Sequence, residues 1–419
     1  MPTLAEWEQA LTVPRRVIVE SSQNLVQQVQ QRHARKDAQR KQGQPAPPRK
    51  NNLTVVQTFA PELAVPVVPA YLLHRLGVVT TPSVENLADI SSTWAYLRYL
   101  WAFRIPEAGE RNPLLRLSEE ARRIDFHQKA LLSDEIGVGM AAVLLGTYFN
   151  APLAVDVSIA MQEPTWQRQI VPQNDSSPDY LFFDSTQTNL YVVECKGTQS
   201  ARSNSLNQVR RGTEQVQALN FTNRATPPSL VIATCLSKKG TRVLLIDPPG
   251  EDDSHPPEKP ERVSEREWII RDAAEFVRST RLLSNAKVLS FSGADEAAAN
   301  MLERTHIREQ KTFRYAARET QMAENEFGQF RGVRQRVAMK DRMNIEVFQA
   351  LDRRVYDAVV AEDSARTDEE MRAFQRRAIA ASREPHTTQP VSTSHENGTL
   401  VVRSAGPDGS LLEIRVSAP

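Results

Sequence analysis

The sequence predicts an α/β protein with an αβββαβ core, followed by a mainly helical C-terminal region and a small terminal β-hairpin. Three observations lead there. Two apolar runs, residues 180–183 and 190–193, favour strands and flank a polar turn at 184–189, the pattern of a β-hairpin. Ahead of them Ile136, Met140, Val143, Leu144 and Phe149 keep helical spacing; behind them residues 205–219 read as a second helix leading into an apolar strand at 230–236. At the end of the chain, two short strands flank Gly406-Pro407-Asp408-Gly409, a turn signal.

Taken in order, the core begins at Ser118, which with Glu119 and Glu120 marks a helix start. Ser133-Asp134 reads as a second N-cap or a kink, which places Glu135 at the start of the following helix. Gly137, Gly139, Ala141 and Ala142 are small enough to let that helix pack closely on a sheet. Residues 153–161 alternate and form the first core strand, and the hairpin supplies the next two. On the helix at 205–219, Gln208, Arg211 or Gly212, Gln215 and Leu219 fall on one side. A strand at 243–246 ends at Asp247-Pro248.

The flanks divide by composition. Residues 1–50 form a basic, Gln-rich arm: a short helix at 3–10, a run at 27–41 with almost no apolar stripe, and a proline-bearing tether at 42–50. Residues 51–113 are an accessory, mainly helical region. Its helix at 84–103 carries Trp94, Tyr96, Tyr99 and Trp101, which core packing explains more simply than base stacking. The core occupies 114–250, an acidic, proline-rich linker 251–265, and a helical region 266–382. In that region Arg331, Arg334, Arg336, Lys340 and Arg342 suit either a bundle for self-association or a clamp on DNA. Residues 383–398 read as a disordered linker. A hairpin at 399–419 is marginal alone and must dock elsewhere.

At 419 residues two or three units are expected. Lys and Arg number 52 against 51 Asp and Glu, so the charge of the whole chain neither requires nor excludes nucleic acid. Cys195 and Cys235 both fall in predicted strands, and two thiols cannot build a Cys-rich zinc site. They read as buried and reduced in a cytoplasmic protein. The apolar stretch at 63–79 is broken by Pro66, Pro69, His74 and Arg75, so no membrane span is expected. No G-x-x-x-x-G-K-[S/T] loop appears, so any NTPase or sensor belongs to a separate subunit.

Side chains alternate along a strand, so Glu194 and Lys196 point to one face and Cys195 to the other, with Asp179 near the start of the partner strand. Two carboxylates and an ammonium suit metal-assisted phosphodiester hydrolysis: Mg²⁺ takes oxygen ligands, and a lysine steadies water or developing charge. Spelled Pro178-Asp179 … Glu194-x-Lys196, with Gly197 next, this stretch resembles the PD-(D/E)xK, restriction-endonuclease-like nucleases over the central third of the chain. The resemblance implies a mixed sheet and a Mg²⁺ ion (Mn²⁺ in its place) on Asp179 and Glu194. Glu135 matches by position the carboxylate that the family often adds from its first core helix; Asp134 is the less favoured substitute. Lys196 would position the attacking water. Gln215, with Gln208 behind it, matches the Gln or Lys often carried on the following helix, and Arg210 and Arg211 would contact phosphate. The implied protein is a metal-dependent deoxyribonuclease of the restriction or antiphage kind. Its partners would be DNA and, for a staggered cut, a second copy of itself as a homo-oligomer. The alternatives are a binding or scaffold protein of the same fold that no longer cuts, and a helical assembly factor in which the hairpin is coincidental.

Overall fold

Each half of the chain contributes one large sheet in the computed structural model. The structure describes residues 3–40, 53–81, 97–107, 109–163, 170–172, 177–183, 190–216, 219–221, 228–247, 264–305, 319–338, 343–382 and 389–417. The 42–50 tether, most of the 84–103 helix with Trp94 and Tyr96, the 184–189 turn and most of the 251–265 linker lie outside the described residues, as do Lys340, Arg342 and the first part of the 383–398 linker.

The first sheet is mixed. Its strands are β1 (Arg15–Glu20), β2 (Glu62–Val67), β3 (Leu153–Asp156), β5 (Tyr180–Phe183), β6 (Leu190–Thr198), β8 (Ser229–Ser237) and β9 (Gly240–Ile246), while β4 (Ile170–Pro172) and β7 (Leu219–Phe221) make a separate ribbon. The order across the sheet is β2-β1-β9-β8-β6-β5-β3; β1–β9 and β6–β8 are parallel and the other pairs antiparallel. The N-terminal part is therefore neither a free arm nor an accessory unit. Val17 and Val19 alternate in β1 and are wholly buried, so β1 and β2 extend the core sheet.

Helices close over this sheet. Thr3 and Glu6 form a reciprocal capping box on α1 (Leu4–Thr12). The Gln-rich run is α2 (Gln23–Ala38), whose Leu25, Val26, Val29 and His33 make a narrow buried stripe that the polar composition hides. Helix α3 (Pro69–Thr80) starts on a proline, whose missing N–H costs nothing at a first turn, and is buried from Pro69 to Val79. Ser118 caps α4 (Glu119–Arg123) as expected.

Helix α5 (Phe126–Tyr148) starts at Asp125, whose side chain accepts from the N–H groups of His127 and Gln128. It runs unbroken through Ser133-Asp134, which is therefore no cap or kink; Ser133 Oγ donates to the Lys129 carbonyl one turn back, at 2.6 Å. A Cβ on Gly137 would stand 2.9 Å from the Lys196 carbonyl, and one on Gly139 3.0 Å from Leu76, so glycines let α5 touch both β6 and α3. Among the described residues this is the one helix long and apolar enough to cross a membrane; 67% of its apolar window is buried inside the protein, as in a core helix. A short α6 (Val157–Ala160) and then α7 (Arg202–Gln215) follow. The elements α5, β3, β5, β6, α7 and β8 thus occur in the expected αβββαβ order.

The second sheet corrects the reading of 266–382 as helical. Helices α8 (Ser264–Phe291), α9 (Asp295–Glu303), α10 (Arg353–Val360) and α11 (Ser364–Ala381) are present, but β10 (Gln321–Asn325), β11 (Gly328–Ala338) and β12 (Asn344–Asp352) lie between them. With β13 (Val391–Glu396), β14 (Thr399–Ala405) and β15 (Ser410–Ser417) they form an antiparallel sheet in the order β10-β11-β12-β15-β14-β13. Of the arginines that suggested a basic helix, Arg331, Arg334 and Arg336 are sheet side chains. Arg336 faces Glu346 across the strands, Arg334 Nη1 lies 2.5 Å from the same carboxylate, and Arg331 sits over the Tyr356 ring at 4.7 Å. The terminal hairpin forms as expected and docks through β15 on β12; β13 falls where disorder was expected.

One buried ion pair joins the halves. Arg75 on α3, fully buried, donates to Asp408 Oδ2 in the β14–β15 turn and to the Pro152 carbonyl just before β3, both at 2.6 Å. Burial opposes both charges, yet each holds the other ionised: Arg75 is raised and Asp408 lowered. Beside them the two nitrogens of His74 meet Ser404 and Ser410 at 3.1 and 2.9 Å. Removing one partner leaves a charge without water or counter-ion. Asp408→Ala is expected to cost about 3–5 kcal/mol in urea denaturation, and the double variant Arg75→Met, Asp408→Leu to recover most of it.

Candidate active site

Register brings the predicted residues together. Tyr180 pairs with Val193, so the next step along β5 and β6 sets Asp179 level with Glu194. Asp179 Oδ2 accepts the Cys195 N–H at 2.8 Å, which anchors that carboxylate to the neighbouring strand. Glu194 is wholly buried and ion-paired with Lys196; neither of its oxygens accepts a hydrogen bond of normal geometry. Helix α7 lies directly on it. A Cβ at Gly212 would stand 3.2 Å from Glu194 Cγ and overlap Val231, and one at Gly197 would run into the Ser133 carbonyl of α5. Residues 194 and 197 therefore face opposite helices, as alternation along a strand requires.

A cavity of about 610 Å³ opens at this end of β6, lined among others by Asp134, Asp156, Asp179, Lys196, Gln208, Arg211 and Gln215. Glu194 is buried and is not among the lining residues. Gln208 donates to the Gly197 carbonyl at 2.9 Å and Gln215 to the Ser177 carbonyl at 3.4 Å. Spacing i, i+3, i+7 puts Gln208, Arg211 and Gln215 on one side of α7, as the sequence suggested.

Two of the expected residues lie away from the cavity. Glu135 does not line the cavity. Because α5 begins at Phe126, the residues facing the cavity are Asp134 and Val138, one turn apart. Glu135, about 100° further round the helix, neighbours Tyr99, whose hydroxyl is raised by burial and by that carboxylate. Arg210 is buried and paired with Glu214 at 2.7 Å, on the side where His33 of α2 meets Thr213 at 2.9 Å. Arg210 is not among the lining residues of the cavity; Arg211 is the exposed arginine there.

Sequence reasoning missed Asp156 and its partner. Asp156 closes β3 opposite Tyr180 and accepts from Lys287 Nζ at 2.6 Å, while the same ammonium reaches the Val79 carbonyl at 2.7 Å. An acid closing an apolar strand was the available signal for Asp156. Lys287, more than a hundred residues away on α8, gave none. The aromatic residues Tyr99 and Trp101 pack inward: Tyr99 is buried, and the Trp101 ring lies 4.1 Å from that of Trp7.

The cluster holds more acid than its own cation neutralises. Burial, then the charge of Asp179, push Glu194 up to about 8, and the pull of Lys196 does not offset them. Burial also raises Asp179 and Asp134, with Lys196 opposing. Burial works to lower Lys196 too, but Glu194 and Asp179 outweigh it and raise the ammonium. Among the described residues no group of three or more His, Cys, Asp or Glu side chains stands together as a metal site. Asp179 and Glu194 nevertheless fit a hard divalent cation that takes its remaining ligands from water and a phosphate, the usual habit of Mg²⁺. The donor set supports this fit: two carboxylates level with each other on neighbouring strands share Lys196 as their cation.

No family model, curated protein or solved structure matches this chain.

A pKa raised in the fold means that the native state binds more protons than the unfolded one between the ordinary value of 4.5 and about 8. Stability is therefore lost as pH rises through that window. Without divalent ions, Glu194→Gln is expected to gain stability relative to wild type as pH goes from 5 to 8, on the order of a few kcal/mol, read from urea midpoints.

Proposed function

We propose that this protein is a metal-dependent deoxyribonuclease of the PD-(D/E)xK type, hydrolysing DNA phosphodiester bonds in the cytoplasm, in the manner of a restriction or antiphage enzyme. The observation that carries the reading is the cluster itself: Glu194, buried and ion-paired with Lys196, stands level with Asp179 on the neighbouring strand, and Asp179 and Lys196 line a polar cavity. The αβββαβ order around it and the parallel β6–β8 pair are consistent with that superfamily.

Asp179 and Glu194 would hold the Mg²⁺ or Mn²⁺ ion. The chemistry supplied by the bound ion is Lewis-acid polarisation of the phosphate and a lowered pKa for water. Lys196 is kept protonated by its two acidic neighbours, so it acts as a hydrogen-bond donor and fixed positive charge, orienting the attacking water and offsetting charge on the phosphate. The water oxygen bonds to phosphorus and sheds a proton to solvent as the P–O bond to the leaving oxygen breaks, and the leaving oxygen takes up a proton from solvent. Arg211 and Gln215, on the same side of α7, hold non-bridging phosphate oxygens. Asp134 takes the place expected for Glu135 as the extra carboxylate. A staggered double-strand cut by a one-site chain requires a homo-oligomer, and any NTPase or sensor would be a separate subunit.

Plasmid and linear DNA incubated with Mg²⁺ or Mn²⁺ should be cut by wild type and cut at least about a hundredfold more slowly by Glu194→Ala and by Lys196→Ala. Mg²⁺ should also raise the melting temperature of wild type but not of Glu194→Gln, because only a ligand bound to the native state stabilises it. Cutting that survives both alanine substitutions would refute the assignment. DNA binding without cutting or a Mg²⁺ shift would favour the scaffold reading.

A further inference from the structure

A second cavity of about 500 Å³ adjoins the first and shares Asp134 and Gln208 with it. Three elements bring cations to its lining: Arg122 from α4, Lys129 from α5 and Lys238 from the β8–β9 turn. Arg122 Nη2 donates to the Ser237 carbonyl at 3.3 Å, which places its guanidinium. Among the described residues of this lining, Asp134 is the one acid.

At the rim stands Phe126, whose side chain is 80% exposed, the most exposed large hydrophobic residue among those described. It opens α5, but the cap is provided by Asp125, so the helix start does not require an aromatic ring there. Among the described residues its one ring neighbour is His127, edge-on at 6.0 Å.

From this arrangement we infer that the second cavity receives a single-stranded segment of DNA next to the phosphate held at Lys196, with Arg122, Lys129 and Lys238 on its backbone and an unpaired base stacked on Phe126. The inference rests on the nuclease reading of the first cavity and adds a substrate class to it: DNA with a tail, gap or flap beside the cut. Cations in a groove follow a phosphate chain of either form, but an exposed ring needs a base face that pairing and stacking in a duplex would cover. Gln208, common to both cavities, is the point where the strand passes from one to the other.

The test is fluorescence anisotropy in EDTA, where nothing is cut, with a labelled duplex carrying a single-stranded tail and the matching blunt duplex. Wild type is expected to prefer the tailed DNA. Phe126→Ala, a change at an exposed position, is expected to weaken binding of tailed DNA roughly tenfold while leaving blunt DNA unchanged. Lys129→Glu should weaken binding and reduce the steepness of its salt dependence by about one ion. Equal affinity for the two DNAs, or no effect of Phe126→Ala, overturns the inference. The two readings fail separately. A tail preference that depends on Phe126 in a protein that cuts nothing keeps the binding groove and removes the nuclease. Cutting that depends on Glu194 with no tail preference does the reverse.

Discussion

A guanidinium shut away from water ties this structure together. Leaving Arg75 unpaired in the interior would cost several kcal/mol, so the chain must bring it a carboxylate and a further acceptor. It does so from two distant places: Asp408 in the last hairpin and the carbonyl of Pro152. Those three points belong to a helix between the sheets, to the second sheet and to the start of β3. Lys287 follows the same logic one turn on, binding the end of α3 through Val79 and the end of β3 through Asp156. Strand β3 is thus held at both ends, and its pairing with β5 sets where Asp179 stands. The C-terminal half positions the candidate site without supplying the predicted motif.

At that site the packing opposes the electrostatics. Gly137, Gly197 and Gly212 let α5 and α7 approach β6 until side chains larger than hydrogen no longer fit, which drives water from around Glu194. A buried ion pair is weak evidence for stability, because desolvating its charges can cost more than their attraction returns. Folding for stability alone would favour an apolar residue at 194. On the proposed reading, this cluster of carboxylates, kept in place by tight glycine contacts, would be completed by a cation and a phosphate.

Much of this was legible in local signals. The hairpin, the Ser118 cap, the side of α7 with Gln208, Arg211 and Gln215, and the terminal hairpin each depend on a few neighbouring residues. The misses have a common physical origin. Whether β1 and β2 join the core sheet is decided by partners far along the chain. Ile345 and Val347 alternate as a strand should, but the arginines and glutamates around them also suit a solvated helix; only the cross-strand register distinguishes the two. Asp134 against Glu135 is a question of helical phase. For α5 the phase is set at Asp125, eight residues before the start the sequence suggested.

Anomalous diffraction from crystals grown with Mn²⁺ tests the central claim most directly. The account predicts a peak bound by the carboxylates of Asp179 and Glu194, lost in crystals of Glu194→Gln. A well-ordered Asp179–Glu194–Lys196 cluster with no peak beside it, or a peak that persists without Glu194, would contradict the assignment of a cation-dependent nuclease.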